Sequence, residues 1–219
     1  MPGQSLARKD EKMRVILETL GAVTNQATSV LIPPYHVEAS IRGSSPMLFH
    51  AWSVEGIEAK AKAAKGSAAK KSDDIESYVY RNINGELCIP SEYVRMSIIE
   101  AARYIQDPRS PRKSARDLFK AGIIVGPGLC GLGVKEWDYL DRRRVMVQRN
   151  GITRCRPAMW EGWKVSCEID VLLPEYIAPT LLNEALSMAG RLVGVGDFRP
   201  TFGRFQIIQF QVQEEPHDF

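Results

Sequence analysis

Arginine is the residue type whose crowding most suggests chemistry in this chain. In DYLDRRRVMVQRNGITRCR, six guanidiniums (Arg142, Arg143, Arg144, Arg149, Arg154 and Arg156) stand against Asp138 and Asp141. The chain as a whole carries a formal charge of only +3, so the excess is local. A guanidinium is planar, permanently charged and bidentate toward phosphate, and it also stacks on bases. This density therefore points to a nucleic-acid backbone as ligand. On a hairpin the side chains alternate faces, so at most about half can line one surface. The competing reading is a charged edge hairpin that discourages aggregation.

A second stretch, LVGVGDFRPTFGRF from Leu192 to Phe205, has the glycines of a phosphate loop but the wrong order around them. A dinucleotide fingerprint needs strand, glycines, helix, because the helix N-terminus holds the phosphate. Here the pattern is helix, glycines, strand, and no Gly-Lys-Ser/Thr follows, which excludes a nucleotide pocket of either common kind. The expectation is that Gly194 or Gly196 ends a helix in a left-handed conformation, Pro200 stops its resumption, and Gly203 permits close backbone packing. The amides around Gly194 and Gly196, with Arg199 and Arg204, would then be offered to a phosphodiester chain. Further basic candidates are Arg42, the cluster Arg109, Arg112, Lys113 and Arg116, and the lysines Lys60, Lys62, Lys65, Lys70 and Lys71.

Catalytic and metal chemistry has little to draw on. Cys88, Cys130, Cys155 and Cys167 lack CxxC spacing, and His36, His50 and His217 are the only histidines, so no metal centre or cofactor is expected. His50 and His36 are the candidates for a general base on an RNA hydroxyl; the alternative is a hydrogen-bonded surface histidine.

The elements that must position these residues can be read from periodicity. Residues 35–42, YHVEASIR, alternate as a half-buried strand, and WKVSCEIDVLL repeats the pattern with Val165, Cys167, Ile169 and Val171 on one face. Asn84-Gly85 and Asn150-Gly151 mark hairpins. Ser91 offers a cap for a helix over about 91–105 with the stripe Val94, Ile98, Ala101 and Ile105. A short helix or turn is expected near Asp117, a strand over 122–125, a helix after Pro179 with Leu182, Ala185, Leu186, Ala189 and Val193 inward, and a closing strand over 205–212. The lysine- and alanine-rich run 56–74 lacks core residues, and residues 10–22 suit a short amphipathic helix.

The resulting order is strand, helix, strand, strand, helix, strand: an α+β, ferredoxin-like (RRM-like) βαββαβ antiparallel sheet with two helices on one face. The expected organisation is an extension over 1–30, one domain over 31–213 with insertions at 53–77 and 138–160, and a tail over 214–219. No apolar leader or membrane span is evident, so the expectation is a cytoplasmic protein without a membrane partner.

Three stretches, GSSPMLFHAW, NGELCIPSEYVRMSIIEAARY and AGRLVGVGDFRPTFGRFQI, together resemble the RAMP superfamily (repeat-associated mysterious proteins). Within it they resemble in particular the small backbone-type subunits of CRISPR effector complexes and related phage-encoded proteins. Gly194, Gly196 and Gly203 resemble that family's G-loop. The resemblance implies a modified RNA-recognition fold that oligomerises along single-stranded nucleic acid, RNA favoured over DNA, alone or with other ribonucleoprotein subunits. It also implies a hairpin over Arg142 to Arg156 that reaches a neighbouring protomer, and a lysine-rich insertion near the groove. The chain departs from the pattern in being short and in lacking the aromatic pair of an ordinary RNA-recognition sheet. The expected function is non-catalytic binding of a single strand. The alternatives are a metal-independent RAMP-type endoribonuclease and a phage structural or assembly protein.

Overall fold

The alternation in YHVEASIRG does form a strand, β1 (Tyr35–Gly43), with Val37, Ala39 and Ile41 buried and Glu38 and Arg42 exposed. The computed structural model describes residues 32–51, 62, 75–147 and 150–213. The expected helix over 10–22, most of the lysine-rich run including Lys70 and Lys71, Arg149, His217 and the tail lie outside the described residues. Every element named below belongs to the unit that begins at Pro34.

After β1 the chain turns into β2 (Met47–Leu48). Gly43 makes the turn possible by packing against the Trp163 indole, where any Cβ would overlap the ring, and Trp163 Nε1 donates to the Ser45 carbonyl at 2.9 Å. Asn84-Gly85 makes its hairpin between β3 (Tyr80–Arg81) and β4 (Leu87–Pro90); Gly85 adopts φ +75°, and the Asn82 side chain accepts the amides of Asn84 and Glu86.

Helix α1 (Ser91–Ala101) buries Val94, Ile98 and Ala101 as its spacing predicts. Ser91 is not the cap: Pro90 occupies that position, with no side-chain cap bond. The last predicted turn tightens into a 3-10 turn, Ala102–Tyr104, and Ile105 leaves it extended. Beyond lie the hairpin β5 (Gln106–Asp107) and β6 (Ser110–Ser114), helix α2 (Arg116–Gly122), β7 (Ile123–Gly126) and β8 (Leu129–Gly131), which pairs with β4.

The arginine-rich segment is the hairpin β9 (Tyr139–Val147) and β10 (Asn150–Met159). Val147 pairs with Asn150, so Asn150-Gly151 lies within β10 rather than at the turn. The base of β10 also pairs with β2, which anchors the hairpin to the body. β11 (Lys164–Val171), α3 (Pro179–Met188) and β12 (Phe205–Gln213) complete the chain.

The main sheet has the order β12-β1-β11-β7, all neighbours antiparallel. It is a mixed α+β fold of the ferredoxin-like kind. Helices α1 and α3 cover one face, and the core between them and the sheet includes Ile41, Ile98, Phe119, Ile169, Leu186 and Phe205. Burying side chains of this size stabilises by roughly 1.5–3 kcal/mol each. The face away from the helices presents His36, Glu38, Ser40 and Arg42 from β1, Lys164, Ser166, Glu168 and Asp170 from β11, and Gln206, Gln209, Gln211 and Gln213 from β12. None of these residues is Phe, Tyr or Trp, and His36 is buried, so among the described residues of these strands this face offers no exposed aromatic platform for stacking bases. Among the described residues no helix is long and apolar enough to cross a bilayer.

Candidate nucleic-acid interface

After Met188, α3 widens into a π-helical turn, Ala189–Val193, which ends at Gly194. Gly190 lies against the Phe205 backbone with no room for a Cβ. Gly194 ends the helix at φ 78°, ψ −179°, which is not the left-handed helical conformation expected but an extended mirror-image region that glycine alone reaches readily. Gly203, at φ +75°, packs against the Val195 backbone so closely that a Cβ would collide with its carbonyl.

The glycine segment is thereby sewn to the body. The amides of Gly194, Val195, Asp197 and Gly203 donate to Ala189, Gly203, Leu48 and Pro46 at 2.8, 2.9, 3.0 and 2.8 Å. The Phe198 amide donates to Asp197 Oδ1 and the Arg204 amide to Ser45 Oγ. The amides of Gly194, Val195, Asp197, Phe198, Gly203 and Arg204 are thus engaged inside the chain, and at these positions a ligand would meet mainly side chains.

Hairpin and loop then interlock. Directly opposed residues share a face, which places Asp141, Arg143, Arg154 and Arg156 on one side of the hairpin and Arg142, Arg144 and Cys155 on the other. Arg143 is held by a bidentate contact to Asp141, and its guanidinium lies over the rings of Phe198 and Phe202 at 5.0 and 4.4 Å. Arg156, only 6% exposed, sets Nε 2.6 Å from Asp197 Oδ2, and His50 Nδ1 lies 3.4 Å from the same oxygen. The Arg156 contact is one of charge, since its Nε and Nη1 make no aligned hydrogen bond. Burial alone would raise the Asp197 carboxyl; the His50 ring nitrogen facing it and the charge of Arg156 outweigh it and hold the group below the ordinary carboxylate range.

The sequence-predicted residues thus separate. Arg142 and Arg144 are exposed on the outer face of the hairpin, while Arg143 and Arg156 face inward and Arg154 is half-buried. Arg156, expected at the surface, is a buried counter-charge. Arg199 and Arg204 are exposed, each touching loop carbonyls, Gly194 at 3.4 Å and Pro200 at 2.9 Å. Arg116 starts α2 and meets Glu100 at 2.6 Å, the same carboxylate that takes Arg103 at 2.9 Å. Arg112 and Lys113 sit exposed on β6, and Arg42 on the open sheet face, apart from this cluster. His36 is buried on the sheet, its Nδ1 2.7 Å from Asp170. His50 borders the loop, edge-on to Tyr78.

Between α1 and the loop runs a furrow that the sequence reading did not find. It consists of two hollows of about 350 and 710 Å³ that share Met96, Gly196, Asp197 and Arg199. His50 and Tyr93 line the first; Tyr104, Leu192 and Phe198 line the second. The signal was present: Tyr93, Met96, Glu100 and Tyr104 recur at helical spacing on the face opposite the buried stripe.

No protein-family model matches the chain, and no curated protein is similar to it in sequence. Solved structures are similar in fold. A chain of the cryo-EM structure of the type III-B Cmr-beta bound to cognate target RNA matches with a TM-score of 0.50 at 8% identity, covering 97% of this chain and 68% of that one. A chain of the crystal structure of the Csm3-Csm4 subcomplex in the type III-A CRISPR-Cas interference complex matches with a TM-score of 0.36 at 12% identity, covering 83% and 79%. Both of these solved structures are of type III CRISPR assemblies. At this identity the likeness is one of fold.

Proposed function

We propose that the chain is a non-catalytic subunit that binds single-stranded nucleic acid, RNA in preference to DNA, and oligomerises along it or joins a larger ribonucleoprotein in the manner of a CRISPR-type backbone subunit. One observation carries this reading. The basic hairpin and the glycine loop, separate in sequence, are locked together through Arg143 on Phe198 and Phe202 and Arg156 on Asp197. Around that lock Arg142, Arg144, Arg199 and Arg204 remain exposed for phosphates. A fold shared with a chain from an RNA-bound type III-B assembly supports the reading.

Filter binding with single-stranded RNA and DNA across a salt series tests it. Each phosphate contact on a single strand contributes about 0.7 to the slope of log affinity against log salt. Changing both Arg142 and Arg144 to Ala should therefore lower that slope by about 1.4. Absence of binding at low salt, or an unchanged slope, overturns the proposal. A second reading, a metal-independent ribonuclease, rests on His50, partly exposed in the furrow and oriented by Asp197. RNA cleavage in EDTA that is lost in His50→Ala would favour it over the first.

A further inference from the structure

The exposed large apolar residues are not scattered evenly. Met96, Tyr104, Leu192 and Phe198 are 36, 65, 41 and 42% exposed, and all four line the larger hollow of the furrow. A monomeric surface has no reason to gather such residues around one depression unless something covers them.

Phe198 is the most unusual of the four. Its φ is +58°, a region that bulky residues avoid, and it is the one non-glycine residue at positive φ among those described. Such conformations persist where the surroundings over-determine them, and they cluster at ligand-binding segments. Here the determinants are visible. Its amide donates to Asp197 Oδ1 at 2.8 Å, its carbonyl accepts from Phe202 at 3.3 Å, and its ring lies under the Arg143 guanidinium with Phe202 edge-on at 6.1 Å. Asp141 fixes Arg143 in turn. The ring is thus immobilised by polar contacts yet left partly open to solvent, the state of an aromatic awaiting a stacking partner.

The charge beside the hollow selects the occupant. Arg103, Arg116 and Arg199 stand there against Glu100, which is already shared by Arg103 and Arg116. Asp197 faces the buried guanidinium of Arg156 at 2.6 Å. An apolar floor with cationic edges matches a ligand made of flat rings on an anionic backbone. The volume of about 710 Å³ falls within the roughly 300–1,000 Å³ usual for small-molecule pockets.

We infer that the furrow between α1 and the glycine loop takes unstacked nucleobases of the single strand, which stack on Phe198 and Tyr104 while the adjoining phosphates meet Arg103 and Arg199. The inference rests on the nucleic-acid-binding reading above and adds to it the contacts to bases. Because every base has a ring face, such a platform is tolerant of sequence.

The test compares a short single-stranded RNA with an abasic oligonucleotide of the same length and phosphates, on the full chain at one salt concentration. Stacking predicts that the base-bearing strand binds tighter, by about 5- to 150-fold per stacked base. Tyr104→Leu, at the most exposed of the four positions, should reduce that ratio while leaving abasic affinity unchanged; Phe198→Leu should reduce it as well, any loss of the Arg143 contact weakening both ligands alike. Tyr104→Phe should retain the ratio, since the ring face and not the hydroxyl makes the contact. The double Arg142→Ala/Arg144→Ala variant should weaken both ligands alike. Equal binding of the two ligands by the wild type, or a ratio untouched in both leucine variants, overturns the inference and leaves the binding reading intact. Failure to bind either ligand overturns both.

Discussion

Replacing Arg156 by Met tests whether the hairpin is locked to the glycine loop by charge. The substitution keeps the apolar stem but removes the cation that faces Asp197 at 2.6 Å, leaving that carboxylate with His50 alone. Breaking a buried ion pair on one side costs about 3–5 kcal/mol. Arg156 is 6% exposed but the Asp197 side chain is 27% exposed, so the lower end, about 3 kcal/mol, applies. For a domain of this size that amounts to roughly 6–12 °C in Tm. Urea unfolding followed by far-UV circular dichroism measures it, beside Arg156→Met/Asp197→Leu, which should recover much of the loss because no charge is then left unpaired. The pH dependence has a definite sign. Asp197 is held below its ordinary value in the folded chain, so its contribution is complete above the unfolded pKa and disappears as pH falls through the folded one. The gap between wild type and Asp197→Asn should therefore be full at neutral pH and close on acidification. A loss below about 1 kcal/mol for Arg156→Met, or a double variant as damaged as the sum of the singles, would refute the lock.

Three further outcomes are expected. Gly203→Ala should destabilise by about 3–5 kcal/mol, since its φ of +75° disfavours a side chain and the new methyl meets the fixed Val195 carbonyl. Gly128→Ala, with open space around it, should change stability by less than about 1 kcal/mol; equal effects in thermal melts would contradict this account. Burial pushes the thiols of Cys130 and Cys167 up to about 12, so neither should react with an aromatic disulfide reagent at pH 8 until denaturant is added, whereas half-buried Cys155 should react first. Trp163→Phe removes the indole donor to the Ser45 carbonyl and should cost about 1–3 kcal/mol, read as a lower urea midpoint.

Much of the architecture was legible because its causes are local. Val37, Ala39 and Ile41 alternate because a strand has period two, and the inward residues of α1 and α3 recur because a helix has period 3.6. Asn84-Gly85 marked its turn because only a residue tolerant of positive φ closes it. The same rule misplaced the second turn: pairing of Val147 with Asn150 puts Asn150-Gly151 inside β10. The site was less legible. Its basic residues were conspicuous, but their crowding along the chain did not separate exposed Arg142 and Arg144 from inward-facing Arg143 and Arg156.

The sequence by itself determined the α+β class, the principal strands β1, β11 and β12, the helices α1 and α3, the helix-ending role of the glycine segment and the abundance of guanidiniums near it. Only the tertiary structure decided which guanidiniums face solvent, that the loop's amides bond inward, and that Tyr104 and Phe198 border one furrow. The physical reason is that periodicity and turn preference depend on neighbours along the chain, whereas burial of a charge or exposure of a ring depends on distant segments. Asp197 holds Arg156, and Phe198 lies under Arg143, only once β2, β10 and the glycine loop have been drawn together by backbone bonds such as that from the Asp197 amide to the Leu48 carbonyl.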